Sequence, residues 1–296
     1  MAAQAPPSSF SFALVGAGRV GTAVASLLER AGHDAIAIAS RSNTSAERAR
    51  EFLNAEIFDI DELPDADVVL LGASDGAIES VAGRIAPRLR PGAVVIHFAG
   101  AFGVEPLKPA TKAGALAAAL HPVQACPDIP TAIQRIPGSA WGVTTEGIGD
   151  WARTMIRRDL HGHPWVVPGE LRAVWHAAAA VTANGIAALL AGAEGMLAKI
   201  GIVDPEKALG PLAVGSALNA YDGGGGAATL TGPVVRGEEE TIRRHLDAIA
   251  AVDRSLLPIY RSTVLLIVES AERAKRIDFE RARAWRELLE DYGPWK

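Results

Sequence analysis

The chain has 296 residues, 49% of them hydrophobic and 21% charged, with a formal net charge of −5. That length allows two cores, and the balance excludes both a disordered chain and a basic nucleic-acid binder. A lone cysteine, Cys126, excludes an intrachain disulfide framework and fits a reducing, cytoplasmic setting; it reads as a small buried residue rather than an activated nucleophile.

Residues 1–9 lack the basic start and apolar core of a signal peptide and read as a disordered tail. The apolar run 10–15 then enters Gly16-Ala17-Gly18-Arg19-Val20-Gly21 and continues into Thr22-Ala23-Val24-Ala25-Ser26-Leu27-Leu28. Strand, glycine turn and helix, in that order, are the setting a dinucleotide fingerprint requires. Gly16 permits the tight turn, Gly18 lets backbone approach a pyrophosphate, and Gly21 lets the helix close on the sheet. The helix start at Arg19 and Val20 presents backbone N–H groups to the phosphates.

The second apolar strand, 34–39, ends at Ser40-Arg41-Ser42. This lies about 20 residues past Gly21, where an NAD site carries an acidic ribose ligand. No carboxylate stands there. Two hydroxyls and a guanidinium suit a 2′-phosphate, so NADP (NADPH) is favoured over NAD, the plainer alternative being a solvated turn.

Helix, short strand, strand and helix follow over 45–53, 55–58, 68–72 and 75–86, with further strands at 93–97, 115–120, 141–144 and 165–167. This alternation is that of a doubly wound parallel sheet, an α/β Rossmann domain spanning 10–168. Ligands gather at the carboxyl ends of such strands. Ser74 is a cofactor contact by that rule, while Asp75 serves either cofactor or helix cap. His97 reads as a satisfied core histidine. His121, followed by Pro122 and Gln124, reads as a rigid loop that places a proton donor and an amide beside a substrate, the alternative being a His–Pro turn whose ring bonds a neighbouring carbonyl.

From 169 onward only helical patterning remains, giving a second, all-helical domain over 169–296. Residues 170–200 read as one long helix with bends allowed at Gly185, Gly192 and Gly195, buried in a soluble domain because its apolar residues are small and His176, Thr182 and Asn184 interrupt it. His176 and Asn184 are separated by about 80° and ~12 Å on an ideal helix, so both can line one cleft. Asp204-Pro205 starts the next helix as N-cap and first turn. Beyond the glycines at 223–226, Thr231 and Arg236 either close on an anionic group or belong to a surface linker with a solvated Arg.

His-Pro-x-Gln at 121–124, His-Ala-Ala-Ala at 176–179 ahead of Asn184, and Leu-Thr-Gly-Pro-Val-x-Arg-Gly at 230–237 together resemble the Rossmann-like oxidoreductases whose C-terminal half is a domain of unknown function (DUF2520). That family is distantly similar to 6-phosphogluconate dehydrogenases, ketopantoate reductases and pyrroline-5-carboxylate reductases. The resemblance implies a 6-phosphogluconate-dehydrogenase-like helical C-terminal domain that binds substrate and forms a homodimer; no metal is expected, and charge and composition point to no nucleic-acid or membrane partner. It also implies hydride transfer to a small carbonyl, a ketopantoate-like 2-oxo acid first and a cyclic imine second. His176 or His121 would supply the proton, Asn184 would act beside them, Gln124 and Thr231 would bind substrate, and Arg236 would hold a carboxylate. Two departures stand out: His176 occupies the place of a catalytic Lys in the distant relatives, and Ala99 stands where the family often has Ser. A non-catalytic NADP sensor is the rival reading.

Overall fold

The computed structural model describes residues 6–292. Residues 1–5 of the expected tail lie outside that range, whereas Ser8 and Ser9 are tied down: Arg158 donates to the Ser8 carbonyl at 2.7 Å and the Ser9 hydroxyl to Gly32 O at 3.2 Å. The chain forms two compact units, 1–181 and 182–296. The strands end near 168, as patterned, but the first unit also keeps the following helical segment.

That unit holds an eight-stranded sheet in the order β3-β2-β1-β4-β5-β6-β7-β8. The strands are β1 Ser11–Val15, β2 Asp34–Ala39, β3 Glu56–Ile57, β4 Val68–Leu71, β5 Val94–His97, β6 Leu116–Val123, β7 Ala140–Thr145 and β8 His163–Val166. Side chains alternate across β1. Phe12 and Leu14 enter a core under helices α1 (Arg19–Arg30), α2 (Asn43–Arg50), α5 (Ile129–Arg135) and α6 (Gly149–Arg158). Ala13 and Val15 face the opposite core under α3 (Ile78–Ile85) and α4 (Lys108–Lys112). Helices on both faces and the 3-2-1-4-5-6 order make this a doubly wound Rossmann sheet.

Two expectations change. The sheet is not wholly parallel, since β7 runs antiparallel to β6 while the other pairs are parallel. Its connector α5 is seven residues long, about 10 Å, and cannot return along an eight-residue strand of about 26 Å. The turn expected after residue 120 is also absent: His121 and Pro122 lie inside β6, paired with Gly142 and Trp141. Pro122 is tolerated because β6 has already left its pairing with β5, which ends at Ala119.

The helix expected over 170–200 is divided into α7 (Arg172–Ala180), a π-helical turn at Val181–Gly185 and α8 (Ile186–Lys199). It is not a buried helix. The segment Gly169–Lys199 is long and apolar enough to cross a membrane by length and composition, and none of its most apolar window is buried. Helix α9 (Pro205–Asp222) likewise buries nothing. Asp204 does not cap it; its backbone is left-handed (φ 53°) and its carboxylate pairs with Lys207 instead. The core of the second unit is built by α10 (Pro233–Arg236), α11 (Glu239–Val252), α12 (Leu257–Arg273) and α13 (Phe279–Glu290), around Ile242, Leu246, Val264, Val268, Trp285 and Leu289.

Candidate active site

The glycine turn is a backbone-on-backbone joint. Gly16 adopts φ 84° and donates its N–H to Ala39 O at 2.7 Å, while Gly18 donates to Gly72 O at 3.1 Å. A Cβ on Gly18 would collide with Gly72 O, one on Gly21 would lie 2.6 Å from Gly72 Cα, and one on Gly72 would strike Gly16 O. The space left by Gly18 is therefore filled by the end of β4 rather than reserved for a ligand. Gly72 is as necessary to the turn as the three motif glycines, and only the β1–β4 pairing reveals it.

With those two N–H groups satisfied, the donors left for an anion are in the first turn of α1, at Arg19, Val20 and Gly21, which have no intrahelical acceptor. Gly18 supplies no side-chain cap, and the first turn holds no acidic residue. A helix start so arranged fits a pyrophosphate. The Arg19 guanidinium donates to Pro127 O at 2.8 Å, fastening the loop after β6 over the turn. At the end of β2, Ser40 is half-buried and Arg41 and Ser42 are exposed. Ser42 also caps α2, accepting from Ser45 N at 3.4 Å. Ser74 is exposed at the end of β4, its side chain making no cap bond.

Past β5 the polar groups become denser. His97 is fully buried and satisfied at both nitrogens: Ala99 N donates to Nδ1 at 3.1 Å and Nε2 bonds Gly103 O at 2.6 Å. Burial pushes its pKa down to about 4, so it is a neutral staple for the 97–103 loop. The first residue of α7, Arg172, is equally buried. It donates to Ala99 O at 2.6 Å, Gly142 O at 3.0 Å and Ala119 O at 3.4 Å. Burial lowers its pKa to about 10, opposed by the charge of Glu105, and leaves it a cation at neutral pH.

Trp175 and His176 follow Arg172 at i+3 and i+4, on the same helical face. The Trp175 indole donates to His121 Nδ1 at 3.3 Å. The rings of His121 and His176 meet edge to face with centroids 5.2 Å apart. Both press on Gly100, where a Cβ would clash with His176 Nδ1 and lie 2.9 Å from His121 Nε2. His176 Nδ1 is buried without a hydrogen-bond partner. Burial, reinforced by Arg172 and His176, pushes the pKa of His121 down to about 4.

Residues 2–122 match the family described as Rossmann-like domain, and residues 141–267 match the domain of unknown function DUF2520. The chain thus carries a Rossmann-like domain followed by a DUF2520 domain. No functionally curated protein matches it by sequence. Among solved structures, a provisionally assigned NADP oxidoreductase from Bacteroides fragilis is 22% identical with a TM-score of 0.72, over 88% of this chain and 98% of that one. Protein TM1727 from Thermotoga maritima is 22% identical with a TM-score of 0.70, over 89% and 99%. An imine reductase from a Pseudomonas species is 17% identical with a TM-score of 0.59, over 91% and 100%. At these identities the likeness is one of fold.

The histidine cluster of this DUF2520 protein draws on both matched segments, with Gly100 and His121 from the first and Arg172, Trp175 and His176 from the second. Other residues singled out in the sequence are engaged elsewhere. Gln124 donates to Arg135 O at 3.2 Å and Ser139 Oγ at 3.3 Å and accepts from Ala125 N, so its amide braces the loop rather than waiting for substrate. Arg236 is paired with Glu238, Nε to Oε1 at 2.5 Å and Nη2 to Oε2 at 3.0 Å, in an exposed ion pair that an incoming carboxylate would have to displace. Thr231 is exposed. Asn184 is exposed within the π turn, where 3.6-residue phasing from His176 does not hold. Cys126 is half-buried and burial raises its thiol pKa, so it is no activated nucleophile.

Gly100 lies in the 97–100 segment that the strand-end rule marks as a candidate, whereas Arg172, Trp175 and Gly142 carry no such mark in the sequence. Arg, Trp and His at i, i+3 and i+4 in an alanine-rich helix were the available signal.

Proposed function

We propose that this DUF2520 protein is an NADP-dependent oxidoreductase that reduces a small carbonyl compound. The observation that carries the reading is the interlocked joint of Gly16, Gly18, Gly21 and Gly72 beneath an uncapped, acid-free helix start. Arg19, Val20 and Gly21 would hold the pyrophosphate by backbone N–H groups, Ser74 the adjoining ribose or phosphate, and Ser40, Arg41 and Ser42 the 2′-phosphate. NADPH, when bound, supplies the hydride that reaches the substrate carbon; the substrate oxygen then takes a proton to become a hydroxyl.

His121 and His176 form the acid–base pair of this reading. Burial and the Arg172 cation keep His121 uncharged near neutral pH, which suits it to orient the substrate oxygen, and this reading gives the role of proton donor to the neighbouring His176. Two histidines suit a carbonyl better than an imine, which can arrive protonated and needs less acid catalysis. A ketopantoate-like 2-oxo acid remains the first substrate class, with its carboxylate held by a group other than the Glu238-paired Arg236. The imine reading is kept because an imine reductase shares the fold.

The partner we propose is a second copy of the chain. Helices α8 and α9 bury none of their own residues, while Val214, Leu218 and Tyr221 form an exposed stripe at i, i+4 and i+7. A bilayer suits the first part of this helical stretch poorly, because Arg172 is inserted into the sheet unit.

Fluorescence titration with NADPH and NADH tests the cofactor. Arg41→Ala is expected to weaken NADPH about tenfold and leave NADH unchanged, the loss of one phosphate-pairing guanidinium. Equal loss for both coenzymes would refute the 2′-phosphate assignment. Tight NADPH binding without its oxidation across a panel of 2-oxo acids and cyclic imines would make the protein a sensor instead.

A further inference from the structure

Gly142 lies in the middle of a strand, where glycine normally weakens pairing and leaves a gap. Here the gap is occupied. Gly142 is the cross-strand partner of His121, and a Cβ on it would lie 2.6 Å from Trp175 Nε1 and 3.2 Å from the Arg172 guanidinium. Any larger residue would push the indole away from His121. The indole N–H can only donate, so the nitrogen it meets, His121 Nδ1 at 3.3 Å, must accept. A neutral imidazole that accepts at Nδ1 carries its proton on Nε2. That is the nitrogen facing Gly100 and the His176 ring.

We propose that Trp175 is a positioning residue that locks His121 as its Nε2–H tautomer, through a slot opened by Gly142, so that His121 presents a hydrogen-bond donor to an acceptor oxygen of the ligand. With the opposite tautomer Nε2 would present a lone pair and repel such an oxygen. The lock therefore selects ligands carrying a carbonyl or carboxylate oxygen over those presenting only an N–H. This selection rests on the reductase reading above; the lock itself does not.

The test separates the two. Long-range proton–nitrogen correlation spectra of the histidine-labelled, full-length protein distinguish Nε2–H from Nδ1–H imidazoles, with His121 assigned by the loss of its signals in His121→Gln. The wild-type protein is expected to show His121 as Nε2–H at neutral pH. Trp175→Phe, which keeps a ring but removes the donor, is expected to show a mixture, and so is Gly142→Ala. A wild-type His121 carrying its proton on Nδ1 would overturn the proposal even if neither variant folds. So would a folded Trp175→Phe protein with an unchanged tautomer. For a substrate identified by NADPH oxidation, Trp175→Phe is expected to lower kcat about tenfold with NADPH affinity unchanged. Absence of any turnover would sink the reductase reading and leave the spectra to decide the tautomer.

Discussion

His97 shows what full burial does to a base. Its folded pKa is about 4 against an ordinary 6.5, so between those values the unfolded chain takes up a proton that the native state refuses. The resulting contribution to stability is complete above pH 6.5 and is lost as pH falls toward 4, by up to about 3 kcal/mol. His121, lowered to about the same value, adds in the same direction. Urea unfolding at pH 7, 5.5 and 4.5 is expected to show falling stability over this window, with a shallower slope in His97→Gln; an equal slope in the variant would contradict the assignment. At this scale, legibility tracks sequence distance. Gly16, Gly18 and Gly21 announce themselves by local spacing. Gly72, Gly100 and Gly142 meet neighbours in distant segments, and an isolated glycine carries no sign of the carbonyl, imidazole or indole that needs its space.

Strands were the most legible elements, since each is a short apolar run bounded by turn residues. The direction of β7 was not, because a strand–helix–strand pattern is shared by parallel crossovers and by short connectors that return at the same end. The π turn at Val181–Gly185 was legible only as a weak point, since Gly185 marks a place where a long helix can bend but not the kind of turn it makes. The role of α7 was hidden for another reason. A single arginine at a helix start reads as a solvated charge, yet Arg172 joins that helix to the carbonyls of Ala99, Ala119 and Gly142. Arg172→Met keeps the apolar stem and strips those acceptors of their donor. It is expected to lower unfolding free energy by about 3 kcal/mol, measured by chemical denaturation. Arg172→Lys is expected to recover less than half, because a point-like ammonium cannot span three acceptors as a planar guanidinium does. Full recovery by Lys would reduce the role of Arg172 to charge alone.

Over the whole molecule the contrast is between two kinds of helix. Helices α11 to α13 close a core around Ile242, Leu246 and Trp285, whereas α8 and α9 bury nothing. Composition cannot separate these cases, since both are apolar enough to be interior; only the packing shows which surface is left uncovered. If a second copy covers it, light scattering will give twice the chain mass. Val214→Glu combined with Leu218→Glu is then expected to yield a folded monomer, whereas a monomeric wild-type protein at micromolar concentration would dismiss the partner.

The seam between the two matched family segments falls in the connector ahead of β7, yet Arg172 on one side grips backbone oxygens contributed by both. The boundary between the matched segments and the mechanical boundary of the first unit therefore lie at different places. Severing the gene at that seam would strand the guanidinium from the Ala99 and Ala119 oxygens and leave β6 as a raw margin hungry for another strand. A first half ending there would expose β6 as an edge and is expected to be recovered in soluble form only when expressed together with the second.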